Sequence, residues 1–136
     1  MQNPPPVQTT KSSTGLDENI AALLSYIFGW VSGLIFFLME KDSRLVRFHA
    51  MQSILLNVLA IILIFVVWIA TVVMVIVGAA VGDILGTLFT LLATLIWVVF
   101  GIGMLIAVIL CLVKAFQGQY FKLPIIGNFA EKFSAK

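Results

Sequence analysis

The chain has 136 residues, of which 62% are hydrophobic and only 10% charged, with a mean hydropathy of +1.16; about a quarter of a soluble domain's residues carry charge. An ordinary soluble globule is therefore excluded, and so is a hidden soluble catalytic domain, because each segment outside the apolar runs is shorter than the roughly 40 residues such a domain needs. Eight Lys or Arg against six Asp or Glu leave a net charge of +2, confined to short stretches between long uncharged runs, and the class expected is an all-α integral membrane protein.

Residues 1–15 are polar and proline-bearing, without the basic start and immediate apolar core of a cleaved signal peptide. They are predicted to form a retained, disordered tail, with 16–136 making a single membrane domain. The first apolar run, 20–39, is twenty uncharged residues, enough at 1.5 Å per residue to cross the roughly 30 Å hydrocarbon core as one helix. Thr14 and Asp17 mark its start and Glu40-Lys41-Asp42 its end. Ala21, Ser25, Gly29 and Gly33 recur at every fourth position. Of these, Ser25, Gly29 and Gly33 are candidate helix-packing residues, against another span or a second copy of the chain.

The loop after this run leads into a second span, 51–78, on a helix that Asp42 or Ser43 can cap. On that helix His49, Ser53 and Asn57 are spaced four apart, with Gln52 beside them, forming a polar stripe that enters the membrane. The stripe has two readings: an interfacial helix entrance, with Arg44 and Arg47 on lipid phosphates and Asn57 bonded to another helix, or a proton relay or substrate gate through His49.

Between residues 50 and 113 the only formal charge is Asp83. A single helix over that stretch would be about 95 Å long, so the chain must reverse, and Gly78, Gly82, Asp83 and Gly86 place the reversal around 78–86. Asp83 then sits in a solvated turn and avoids the roughly 2.5–3.5 kcal/mol charged at the bilayer centre. The third span is expected at 86–113. Trp30, Trp68 and Trp97, near the middles of their spans, are expected to meet inside the bundle, and Cys111 to act as a small hydrophobe. Pro124 suits the first turn of a short amphipathic interfacial helix, 124–133, with Ile125, Ile126, Phe129, Ala130 and Phe133 on one face. The architecture predicted is three transmembrane helices plus this C-terminal helix.

With three spans, the N-terminal tail and the Asp83 turn share one side and hold one cation, Lys11, while seven (Lys41, Arg44, Arg47, Lys114, Lys122, Lys132 and Lys136) lie on the other. The positive-inside rule then puts the N-terminus outside and the C-terminus in the cytoplasm of a multi-pass cell-membrane protein. The pI near 8.9 follows from topology, with no nucleic-acid partner. The partners expected are the bilayer, its anionic headgroups, and membrane proteins or further copies of the chain. Candidate cytoplasmic-face interaction residues are Arg44, Arg47, His49, Gln52, Ser53, Asn57, Pro124 and Gly127.

No Gly-rich phosphate loop, His-Glu-x-x-His, Gly-x-Ser-x-Gly or paired membrane carboxylates occur, so neither an enzyme nor a cofactor or metal site is expected. Three function classes remain: a non-enzymatic scaffold or accessory subunit; an oligomeric pore or carrier for a small solute with Gln52, Ser53 and Asn57 lining its entrance; and, on the interfacial helix alone, a lipid-handling or stress-related membrane protein.

Four stretches carry a resemblance: Thr14-Gly15-Leu16-Asp17-Glu18-Asn19, Ser32-Gly33-Leu34-Ile35-Phe36, Val46-Arg47-Phe48-His49-Ala50-Met51-Gln52-Ser53, and Lys122-Leu123-Pro124-Ile125-Ile126-Gly127. With these the chain resembles the Tic-twenty-like small prokaryotic membrane proteins, which are distantly similar to a chloroplast inner-envelope protein-import component. The resemblance implies a helical membrane protein in a protein-conducting or assembly complex, and hence a link to protein translocation.

Overall fold

A computed structural model describes residues 10–135. Five helices follow in order: α1 (Glu18–Leu24), α2 (Trp30–Met39), α3 (Arg44–Val81), α4 (Asp83–Phe116) and α5 (Ile126–Ser134). Among the described residues there is no strand, only an isolated antiparallel bridge between Lys11 and Asp17. The chain divides into two units, Met1–Val58 with Ala107–Lys136, and Leu59–Ile106.

In the first unit, the apolar run 20–39 is not the single spanning helix its hydropathy predicts. Helix α1 ends after seven residues, the chain turns through 25–29, and α2 runs ten residues back. Gly29 makes the turn possible: its φ of 62° and ψ of −133° are open to glycine and costly for residues with a Cβ. The start of α1 and the end of α2 consequently lie together. Both Glu40 carboxylate oxygens, just after α2, accept the Ser13 N–H at 3.0 Å, and Oε1 accepts the Ser13 hydroxyl at 2.8 Å. Among the described residues two helices, α3 and α4, are long and apolar enough to cross a bilayer, and the third expected span, 20–39, is not one of them. The N-outside orientation loses its basis as well, since it requires 10–15 and 40–47 to lie on opposite faces. The predicted disordered tail falls for residues 1–9 outside the described residues; residues 10–15 are held by the Lys11 bridge, the Ser13–Glu40 bonds and a turn in which Gly15 N–H donates to the Ser12 carbonyl at 2.9 Å.

Helix α2 packs antiparallel to the start of α3. A Cβ added to Gly33 would meet the Ala50 carbonyl oxygen at 2.9 Å and Ser53 Cβ at 3.2 Å, so hydrogen at that position is what lets the two backbones approach. Ser43 opens α3, its hydroxyl accepting the Val46 N–H at 3.3 Å, the cap a helix start favours.

Helix α5 begins at Ile126, so Pro124 stands two residues ahead of it instead of in its first turn; the Pro124 carbonyl accepts the Ile126 N–H at 2.7 Å. The single apolar face predicted for this helix is split. Ile126, Gly127 and Ala130 are buried in the unit, while Ile125, Phe129 and Phe133 point outward, the two phenyl rings stacked 6.4 Å apart.

The second unit is a helical hairpin that reverses at Gly82 alone. Gly78 faces Gly86 and Phe89 across it, and Trp97 Nε1–H donates to Thr71 Oγ1 at 3.3 Å. Its Leu, Ile and Val side chains are mostly exposed, as lipid-facing residues are. Asp83 stands at the reversal, in the first turn of α4. Trp30, in the first unit, and Trp68, in the second, are half exposed, and Trp97 stacks edge-on against Phe100.

Candidate functional site

Most of the polar residues singled out from the sequence converge in the first unit, where α3 begins. His49 is fully buried. Its Nε2 lies 2.8 Å from the Gln119 carbonyl oxygen and its Nδ1 2.9 Å from the Tyr26 hydroxyl. A carbonyl can only accept, so Nε2 carries the proton and Nδ1 accepts the Tyr26 O–H. Tyr26 oxygen in turn accepts a Gln52 amide hydrogen at 3.1 Å. The second Gln52 hydrogen goes to the Phe121 carbonyl at 2.9 Å, and Gln52 Oε1 accepts the Leu123 N–H at 3.2 Å. One side-chain amide therefore grips both backbone groups of the extended segment that precedes α5. Cys111 Sγ, fully buried on α4, lies 3.7 Å from Gln52 Nε2.

The rest of the stripe turns toward the α1–α2 pair. Ser53 hydroxyl donates to the Gly29 carbonyl at 3.0 Å, and Asn57 Nδ2 donates to the Ser53 carbonyl at 2.8 Å. Asn57 side-chain atoms also occupy the space beside Gly29 where a Cβ would fall. Ser25 hydroxyl donates to the Ala22 carbonyl at 2.6 Å. Gly127 presses on the Lys122 backbone so closely that a Cβ would come within 2.5 Å of Lys122 Cα.

Arg47 and Glu40 form a second knot. Arg47 Nη1 donates to the Glu40 carbonyl at 2.8 Å and Nε to the Ser134 carbonyl at 3.3 Å, while the guanidinium lies 4.6 Å above the Phe37 ring. One side chain thus joins the end of α2, the start of α3 and the end of α5. Burial by itself would raise the Glu40 carboxyl, but N–H groups of Ser43, Ser13 and Asp42 and the Ser13 hydroxyl outweigh it and hold the group below its ordinary range. Arg44 alone of the predicted interaction residues on α3 points outward as an exposed charge, beside exposed Lys41 and Asp42.

Tyr26, Ser13 and Gln119 belong to this cluster and escaped the sequence reading, as did the roles of Glu40, read only as the end of a span, and of Cys111, read as a small hydrophobe. Nothing in their spacing marks them, since they come from five different segments. Every buried side-chain nitrogen and oxygen among the described residues has a partner. No group of three or more His, Cys, Asp or Glu among those residues could hold a metal ion.

The model of the magnetosome magnetite crystal formation protein family (MamF/MmsF) matches residues 16–130. Among similar curated proteins, the UPF0132 membrane protein MJ1443 of Methanocaldococcus jannaschii is 38% identical over 131 residues, covering 91% of this chain and 94% of its own. The UPF0132 membrane protein of Archaeoglobus fulgidus is 36% identical, covering 86% of this chain and 95% of its own. A second Methanocaldococcus jannaschii protein, MJ1527, is 33% identical, covering 88% and 71%. No solved structure matches the chain. These matches overturn the resemblance to the Tic-twenty-like proteins. The stretches 46–53 and 122–127 that carried it lie inside the region matched by a different family, and the link to protein translocation falls with it.

Proposed function

The chain belongs to the magnetosome magnetite crystal formation protein family, and from that premise we propose that it is a non-enzymatic scaffold or accessory subunit of a membrane assembly. The membrane character is shared with the UPF0132 relatives, and neither they nor the family indicate a catalytic function. The observation that carries the reading is the inward use of the polar cluster. Tyr26, His49 and Gln52, with Arg47 and Glu40, direct their hydrogen bonds onto backbone and side chains of the same unit. A general base or a pore-lining amide needs a free face, whereas a strut needs this kind of satisfaction.

What the cluster holds rigid is an outward surface: Lys41, Asp42 and Arg44 on the loop and helix start, and Asn128, Glu131 and Lys132 on α5. The cations suit anionic headgroups, and the mixed-charge patch suits a membrane-protein partner or another copy of the chain. A part in magnetite crystal formation, which the family's description names, would be exerted through such an assembly in the mineral-forming membrane.

Affinity purification in mild detergent from native membranes, with the parent chain and an Arg44→Glu, Lys132→Glu variant, tests this. The parent is expected to retain a reproducible membrane-protein partner that the variant loses. Repeated recovery alone, with every membrane complex intact when the protein is deleted, overturns the scaffold. Solute flux in liposomes reconstituted with the pure protein would replace it with a carrier.

A further inference from the structure

The α1–α2 pair carries an apolar outer face: Phe28 is 77% exposed and Leu38 68%, with Ile27, Trp30, Val31, Leu34 and Ile35 also open. The amide groups of its turn are satisfied from within the chain. All five amide N–H groups of 25–29 are bonded within the chain, to Ala21, Leu23 and Leu24 carbonyls, to the Ser32 hydroxyl and to the Tyr26 carbonyl. On the acceptor side, Ser32 hydroxyl donates to the Ser25 carbonyl at 3.0 Å and Ser53 hydroxyl to the Gly29 carbonyl. A turn in water has no need of serine side chains to satisfy its backbone; a turn in hydrocarbon does, because each unpaired group there costs several kcal/mol.

The two polar ends of the pair are tied to each other by Ser13 and Glu40. The turn lies beside Ser53 and Asn57, part-way along α3. Ten residues of α2 reach about 15 Å, half of the roughly 30 Å hydrocarbon core. The seven described cations, Lys11, Lys41, Arg44, Arg47, Lys114, Lys122 and Lys132, all belong to the first unit, and the second holds Asp83 as its one formal charge.

We infer that residues 20–39 form a re-entrant hairpin that enters and leaves the bilayer on one side, its outer apolar face among the acyl chains of that single leaflet. Residues 10–17, the loop 40–43 and the segment 117–134 all lie on that side, which the distribution of Lys and Arg makes the cytoplasmic one. This goes beyond the scaffold reading and stands whether or not a partner protein exists.

The test uses proteoliposomes and sidedness-defined native vesicles, with single-cysteine variants in a Cys111→Ala background and a membrane-impermeant maleimide. Lys11→Cys and Lys132→Cys are expected to label from the same side and Ile84→Cys from the opposite one. Labelling of Lys11→Cys and Lys132→Cys from opposite sides overturns the hairpin in favour of a single span. Should a variant fail to insert, peptide tags on the two ends of the otherwise unsubstituted chain, read by protease protection, must likewise be cut or protected together. For the face itself, Trp30 in a Trp68→Phe, Trp97→Phe variant is expected to lose fluorescence to lipids brominated along the acyl chain. Insensitivity to those lipids, whether from a second copy over the face or from exposure to aqueous iodide, overturns its placement in the leaflet.

Discussion

Replacing Gln52 by leucine keeps the volume similar and removes the amide that fastens the C-terminal segment to α3. The Leu123 N–H loses an acceptor at 3.2 Å, the Phe121 carbonyl a donor at 2.9 Å, and the Tyr26 hydroxyl a donor at 3.1 Å. A stranded buried donor costs about 1–3 kcal/mol, and the part-exposed Phe121 carbonyl less, because water can reach it. The expected loss is therefore about 2–4 kcal/mol, a large share of the ~5–15 kcal/mol by which a typical protein is stable. Because the lost bonds join two segments distant in sequence, the release should be local first, with residues 117–134 loosening before the α3–α4 hairpin melts. Denaturation of the detergent-solubilised protein gives the total, and amide hydrogen exchange at Leu123 gives the location. A change within about 0.5 kcal/mol of the parent, the range of an indifferent surface substitution, together with unchanged protection at Leu123, refutes the role assigned to Gln52.

Gly33→Ala should lower thermal stability by about 1–3 kcal/mol, since its Cβ would press on the Ala50 carbonyl, whereas Gly103→Ala, where a Cβ meets open space, should be neutral or slightly stabilising in the same melt. Glu40 is held below its ordinary value of 4.5, so its ionised form favours the folded state. That contribution is complete above the unfolded value and disappears as pH falls through the lower folded one. Melting temperature followed downward from pH 7 should drop in the acid range, and Glu40→Gln should flatten that dependence while lowering stability at neutral pH. Tyr26→Phe removes the donor to His49 and an acceptor for Gln52 and should cost about 1–3 kcal/mol, measured by denaturant midpoint at unchanged slope. Arg47→Lys cannot keep both the Glu40 and Ser134 carbonyl bonds and the stacking on Phe37, and protease nicking near residue 134 should rise.

Hydropathy and charge spacing were enough to establish a helical membrane protein, a reversal within 78–86 around Asp83, and a short helix after Pro124. Each of these depends on local composition: long uncharged runs form helices because the backbone must satisfy itself in lipid, and glycines mark where a run can reverse. The same reasoning failed at 20–39, because hydropathy counts apolar length and is blind to direction. Only the tertiary structure shows Ser32 and Ser53 satisfying the turn at 25–29 and Glu40 reaching back to Ser13, and these long-range bonds decide that the run folds back on itself. His49, Gln52, Ser53 and Asn57 were legible as a polar stripe from their spacing on one helix. His49 and Gln52 bond to Tyr26, Gln119, Phe121 and Leu123, which lie 23 to 71 positions away in the chain. A period on one helix tells which side chains share a face; what that face meets is settled when separate segments pack, and here it meets the protein's own backbone.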